Sequence, residues 1–146
     1  MATRSMIGVQ RENGTIEAVY CHWDGYPSNQ GPILLNAYNG PRKIEGLIRQ
    51  GDLSCLGRIL VADATGAEDE DACSNINGYV GGDGGDSECS AKVYADLDDL
   101  RKRQTWCEYF YVHKEGQWYV ASSDETDELK TLEGWFKAEE LLTNPV

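Results

Sequence analysis

The sequence has few histidines and few basic residues. Its 146 residues include two histidines and 13 lysines and arginines, and its five cysteines form no Cys-x-x-Cys pair. The local ligand pairs of structural zinc sites are therefore missing, although a zinc site built from Cys21, His22 and distant partners stays open. Five widely spaced cysteines favour reduced thiols over a disulfide framework. We expect no metal and no cofactor.

Long apolar segments are also missing. No run approaches the roughly 18–20 apolar residues of a membrane helix, and the start at Met1–Ile7 lacks the apolar core of a signal peptide. The chain is nevertheless 40% hydrophobic, with four tryptophans and eight tyrosines, which argues against disorder. We expect a cytoplasmic protein that contacts no membrane, with one domain over residues 1–146.

Positive charge is scarce, and negative charge is concentrated in one segment. The formal net charge is −12, and eleven of the 25 acidic residues lie between Asp63 and Asp99, where Lys92 is the one basic residue. Such a segment repels nucleic-acid phosphates, so direct DNA or RNA binding is disfavoured. A partner protein with a basic surface is the complementary expectation.

Two β-hairpins are predicted. Alternating residues at about 5–11 and 15–22 flank Asn13-Gly14, which is a strong short-range hairpin signal. Alternation over 106–113 and 117–121 flanks Glu115-Gly116 in the same way. Further strands are predicted at 58–62 and 91–94, and a short one near 77–80, while 52–57 is predicted to form a turn.

Helices are predicted between these strands. They cover 33–38, 42–50, a segment capped by Asp96, and 135–142, with Pro32 and Pro41 at first helical positions. Residues 63–90 have little periodicity and much Gly and Asp, and are predicted to be a long acidic, glycine-rich central loop. The fold class is α+β: a mainly antiparallel sheet built from hairpins, with helices packed on one face.

The densest candidate for chemistry is Tyr20–Pro27, at the end of the second strand. His22, Trp23, Asp24 and Tyr26 supply an imidazole, a carboxylate and two aromatic rings within five residues. Cys21 or His22 could act in catalysis with Asp24 orienting the imidazole. Catalysis needs a second positioned group that the sequence does not identify. We therefore assign no catalytic residue, lean against an enzyme, and interpret the segment as a binding loop.

The central loop is the second candidate. One Gly-Gly-x-Gly-x-Asp copy lies at Gly81–Asp86, but calcium-binding repeats of this kind work in series and Glu88 stands where an apolar residue is needed. Its carboxylates could also imitate DNA phosphates. As partner contacts we select Glu68, Asp69, Glu70, Asp71, Asp83, Asp86 and Glu88.

A ligand pocket is the alternative to a protein-contact surface. The aromatic residues at 106–119 are more often core and sheet surface than a stacking platform, and one basic cluster, Arg101–Arg103, is nearby. A pocket for a nucleotide-like ligand, lined by these rings and by Arg4 or Arg58, stays open.

The chain resembles a family of small phage- and prophage-encoded proteins. The resemblance rests on Thr3-Arg4-Ser5, on Tyr20–Pro27, on Gly31–Leu35 with Tyr38, on Gly51–Gly57, and less specifically on Tyr109–Tyr111 with Gly116–Trp118. It covers most of 3–60 and roughly 91–142, and the central Gly-Asp segment departs from it. No activity is established for that family.

The resemblance implies an accessory protein that acts in the cytoplasm of a bacterial host. Direct contact would inhibit or redirect a host machine, for example a defence system such as a CRISPR effector or a restriction enzyme. The alternative is a small-molecule or nucleotide-binding protein, or an enzyme, that uses the Cys21–Pro27 loop. The oligomeric state is left open.

Overall fold

The computed structural model describes residues 2–64, 71–76 and 88–143, with side chains described up to Lys137. These residues form eight strands and four α-helices, which makes the fold α+β. In chain order they are β1 (Ser5–Gln10), β2 (Ile16–Cys21), α1 (Pro27–Ala37), α2 (Pro41–Arg49), β3 (Leu53–Cys55), β4 (Ser74–Asn75), β5 (Lys92–Tyr94), α3 (Leu97–Arg103), β6 (Tyr109–Lys114), β7 (Gln117–Ser122), β8 (Lys130–Thr131) and α4 (Leu132–Thr143).

The strands form one mixed sheet in the order β4-β3-β2-β1-β6-β7-β8, and β5 also pairs with β2. Five pairings are antiparallel, whereas β1 with β6 and β2 with β3 are parallel. The predicted mainly antiparallel sheet is therefore confirmed only in part. Both predicted hairpins are present, as β1-β2 and β6-β7.

Apolar side chains cover both faces of the sheet, because neighbouring residues of a strand point to opposite sides. On one face Ile7, Val19 and Tyr111 pack in a core with the residues of α1, α2 and α4. On the other face Met6 packs with Leu100 of α3. The prediction that the helices lie on one face is therefore wrong, since α3 covers the opposite face.

Proline or aspartate residues stand at the starts of the three helices α1, α2 and α3. Pro27 and Pro41 are first residues of α1 and α2, where a fixed φ helps and the missing N–H is not needed. Asp96 caps α3 by accepting a hydrogen bond from the backbone N–H of Asp99 at 2.8 Å. Pro32 was expected to start a helix but lies inside α1, which begins five residues earlier.

The segment predicted to be a strand at 58–62 is not one. Ile59 forms a single parallel bridge to Ala72, and Val61–Asp63 form a 3-10 turn. Conversely, β3 forms where a turn was expected, within 52–57. The described part of the predicted central loop contributes β4, while the predicted strand near 77–80 lies outside the described residues. Over the described residues, none of the helices has the length and apolar character to cross a membrane.

Candidate functional site

A pocket of about 560 Å³ opens on the face of the sheet that carries α3. Its floor consists of alternate residues of two paired strands: Met6 on β1, with Ala18 and Tyr20 on β2. Arg4 and His22 extend these two rows beyond the strand ends. The two-residue period of a strand therefore places all five side chains toward the same cavity.

Three further segments form the walls. β5 contributes Lys92 and Tyr94 because it pairs with the first half of β2. The turn before β3 contributes Asp52, and the connection from α3 to β6 contributes Gln104 and Trp106. Trp106 is 76% exposed, which is unusual for so large an apolar ring. The pocket thus has an aromatic side chain at its mouth.

Tyr20 and His22 are hydrogen-bonded within the pocket. The Tyr20 hydroxyl and His22 Nδ1 are 2.8 Å apart. Burial raises the pKa of Tyr20, and the neighbouring Arg4 guanidinium partly opposes this. The phenol is therefore neutral at physiological pH and can donate to Nδ1 in the tautomer that carries the ring proton on Nε2. The pair offers an N–H donor beside the positive charge of Arg4.

Charge in the pocket is mostly positive, although the protein as a whole is acidic. Arg4 and Lys92 line it with His22, and Asp52 is the one carboxylate among its described lining residues. Lys92 Nζ donates to the backbone oxygens of Glu88 at 2.6 Å and Ser90 at 3.3 Å. These carbonyls hold the ammonium group in place without neutralising it.

Asp52 is fixed by the backbone. One carboxylate oxygen accepts the N–H of Tyr20 at 2.9 Å. The N–H of Asp52 itself donates to Cys89 O at 2.7 Å. Burial raises the pKa of the carboxyl group, while the Tyr20 N–H and the Lys92 charge act in the opposite direction. The result is a rigid acceptor in a cavity otherwise rich in donors.

Contacts with buried residues anchor the Cys21–Pro27 loop beside the pocket. Ser5 Oγ donates to Gln30 Oε1 at 2.8 Å, and Gln30 Nε2 donates to Cys21 Sγ at 3.0 Å. Gly25 passes so close to Ser5 that an added Cβ would lie 2.7 Å from the Ser5 Cβ, and its carbonyl accepts the Tyr111 hydroxyl at 2.6 Å. The loop is therefore tied to the core by buried hydrogen bonds and by close packing at Gly25.

The catalytic alternative built on Cys21, His22 and Asp24 is not assembled. Cys21 and His22 are neighbours in sequence, so they point to opposite faces of the sheet. Burial raises the pKa of Cys21 to about 12, which keeps the thiol protonated. The hydrogen bond of the His22 ring runs to Tyr20 and not to Asp24, which turns the chain with a φ of 55°. The geometry therefore does not support the alternative in which Cys21 or His22 acts in catalysis with Asp24 orienting the imidazole.

The other predicted contact residues are spread over the surface. Trp23 and Tyr26 are 45% and 39% exposed in the loop, but neither lines the pocket. Asp71 and Glu88 are exposed residues that directly follow the two undescribed stretches of the central segment, 65–70 and 77–87. Glu68, Asp69, Glu70, Asp83 and Asp86 lie outside the described residues, as does the predicted calcium motif Gly81–Asp86.

The pocket includes three residues that the sequence identified as candidates, Arg4, His22 and Trp106, and others that it did not. Arg4 was a candidate, whereas Arg58, its alternative, does not line the cavity. Tyr20, Asp52 and Lys92 were not selected. The alternation of Tyr20 with His22 was a usable signal, but Asp52 and Lys92 reach the site only through the pairing of β3 and β5 with β2.

Within the parts of the chain that the structure describes, no group of three or more His, Cys, Asp or Glu side chains is placed to hold a metal ion. Comparisons of the chain with protein-family models, curated proteins and solved structures found no match. The resemblance to phage- and prophage-encoded proteins therefore stays a prediction.

Proposed function

We propose that the protein binds a small organic anion that carries an aromatic ring, in the pocket between β1, β2 and β5. The observation that carries the proposal is the meeting of Arg4, His22 and Lys92 around an aromatic-lined cavity of about 560 Å³. A volume of this order suits a small ligand, and convergent polar groups on an apolar floor are typical of ligand sites.

The local charge supports an anionic ligand. In a protein of net charge −12, a pocket lined by two basic side chains and one carboxylate differs in charge balance from the chain as a whole. Charge-assisted hydrogen bonds from a guanidinium or an ammonium group to a ligand oxyanion are stronger than neutral ones. The exposed ring of Trp106 provides a flat apolar surface on which a planar ligand group can stack.

Isothermal titration calorimetry tests this proposal. The probes are the four common ribonucleoside monophosphates and the aromatic sulfonate anilinonaphthalene sulfonate. We expect at least one of them to bind, and Arg4→Gln to weaken binding about tenfold by removing a charge-assisted contact. Arg58→Gln is the matched control, because it removes an exposed arginine outside the pocket. Absence of binding by every probe, or equal losses in both variants, would contradict the proposal.

A second candidate function is contact with a host protein, as the sequence resemblance implies. The supporting observation is the exposure of Trp23 and Tyr26 on an anchored loop, because exposed aromatic side chains are enriched at protein interfaces. In this proposal the chain acts in the cytoplasm of a bacterial host, on a protein with a basic surface and without direct nucleic-acid contact.

Affinity purification with a double variant tests the second candidate. A host protein that co-purifies with the original chain but not with Trp23→Ala/Tyr26→Ala would support the contact, provided that the Arg4→Gln variant still captures it. Capture that is unchanged in the double variant would exclude the loop as the contact surface.

A further inference from the structure

We infer that the pocket selects a guanine nucleotide, with the Asp52 carboxylate pairing with the guanine base. The inference rests on the proposed function and adds the identity of the ligand class. It starts from the one negative side chain among the described residues that line this otherwise cationic cavity. A site for a simple anion would be weakened by a carboxylate, so Asp52 indicates a ligand that also presents hydrogen-bond donors.

The position of Asp52 makes it a directed acceptor. Its Oδ1 atom already accepts the Tyr20 N–H at 2.9 Å, which fixes the plane of the carboxylate against the sheet. Among the described residues, no hydrogen bond to the second oxygen is found, and a carboxylate has about four acceptor sites in total. The Asp52 carboxyl group therefore lines the cavity with acceptor capacity for a ligand that donates two parallel hydrogen bonds.

Among the common bases, guanine presents two adjacent donors, N1–H and the exocyclic N2–H, on one edge. A carboxylate accepts such a pair in a bidentate manner, as it does from a guanidinium group. Adenine and cytosine each place a ring acceptor beside their amino group, and that acceptor would face a carboxylate oxygen. Uracil places its single N–H donor between two carbonyl acceptors. The chemistry of Asp52 thus favours guanine over the other three.

The remaining lining residues suit the rest of the nucleotide. Trp106 stands exposed at the mouth, where it can stack on a purine ring. Arg4 and Lys92 provide cations for the phosphate, and Lys92 is held by two backbone carbonyls rather than by a carboxylate. The purine ring, the phosphate and the donor edge of a guanine nucleotide would each have a complementary group in the pocket.

Calorimetry with a series of purine nucleotides tests the inference without any mutation. The probes are guanosine, inosine and adenosine monophosphates, which present two, one and no N–H donors on the ring edge that includes N1 and the group at C2. We expect affinity to fall in that order, with adenosine monophosphate about tenfold or more weaker than guanosine monophosphate. Equal affinity for the guanosine and adenosine forms would overturn the inference.

The variant Asp52→Asn sharpens the test, because an asparagine side chain still offers an oxygen to the Tyr20 N–H. The amide presents one acceptor and one donor, which suits adenine. We expect guanosine monophosphate binding to weaken about tenfold and adenosine monophosphate binding to stay constant or strengthen. Asp98→Asn, which removes an exposed carboxylate outside the pocket, is the matched control and should change neither affinity.

The outcomes separate the two proposals. Binding of anilinonaphthalene sulfonate without any nucleotide would overturn the guanine inference and leave the anion pocket standing. Equal weakening of both nucleotides by Asp52→Asn would overturn base selection through the carboxylate. If no probe binds, the pocket proposal and the guanine inference both fall.

Discussion

The substitution Gln30→Met tests how the Cys21–Pro27 loop is held above the core. Gln30 and Ser5 are both 0% exposed, so water cannot replace a lost hydrogen bond. Methionine keeps the approximate length and volume of glutamine but leaves Ser5 Oγ without its acceptor and Cys21 Sγ without its donor. An unsatisfied buried hydroxyl costs about 1–3 kcal/mol, and the bond to sulfur adds less because sulfur is a weak acceptor.

We therefore expect Gln30→Met to lower the free energy of unfolding by roughly 2–3 kcal/mol. Urea denaturation followed by tryptophan fluorescence measures this directly. Ser5→Ala should also destabilise, because it leaves Gln30 Oε1 without its donor. In the double variant neither buried partner remains unsatisfied, so its loss should be at least about 1 kcal/mol smaller than the sum of the single losses.

The control and the refutation come from the same assay. Gln117→Met replaces an exposed glutamine at the start of β7 and should change stability by less than about 0.5 kcal/mol. A Gln30→Met loss in the same small range, or additive effects of Ser5→Ala and Gln30→Met, would show that the hydrogen-bonded network does not hold the loop.

Three further properties can be measured in the same protein. Because burial raises the pKa of Cys21 from 9.0 to about 12, iodoacetamide at pH 8 should modify it roughly 1000-fold more slowly than an unperturbed thiol, as peptide mass spectrometry would show. Burial lowers the pKa of His113 below 6.5, so at acidic pH the unfolded chain binds a proton at His113 that the folded protein does not. The contribution of His113 to the free energy of unfolding should therefore be complete above pH 6.5 and be lost as the pH drops below it. Urea titrations at several pH values, with His113→Phe as the comparison, check that slope. Arg101 is buried and its guanidinium donates to the backbone oxygens of Ser122 and Asp127, so Arg101→Met should cost about 3 kcal/mol in the same denaturation assay, and Arg101→Lys less.

The local parts of the fold could be predicted because their signals are local. Gly14 and Gly116 lie in the turns of the two hairpins and have φ values of 88° and 79°. Both turns could be predicted because glycine adopts such angles readily. The Asp96 cap was likewise recognised from its own side chain and the acidic first turn after it. In each case a few adjacent residues determine the conformation.

The errors come from contacts between distant segments. The apolar run at 59–61 has the composition of a strand, yet it packs against a helix instead of joining a ladder. Leu60 occupies the space above Gly46 of α2, where an added Cβ would lie 2.4 Å from Leu60 Cδ1. A glycine on a helix surface does not reveal from sequence which distant side chain will cover it.

The candidate site was predictable only in part for the same reason. His22 and Arg4 were identified because their residue types are informative. Lys92 and Asp52 look like ordinary surface charges in the sequence, and they become site residues only when β5 and the turn before β3 approach β2. The chemistry of the pocket is thus a consequence of strand pairing.

The parallel pairing of β1 with β6 has a consequence during synthesis. Ser5 pairs with Tyr109, so the first strand cannot complete its central position in the sheet until synthesis has reached Tyr109, 104 residues later. At about 5–20 residues per second, the ribosome needs roughly 5–20 s to cover that distance. During that interval the unpaired edge of β1 is a template for other nascent strands. Slow, aggregation-sensitive folding is therefore expected of this topology, since contacts of high sequence separation must form before the core closes.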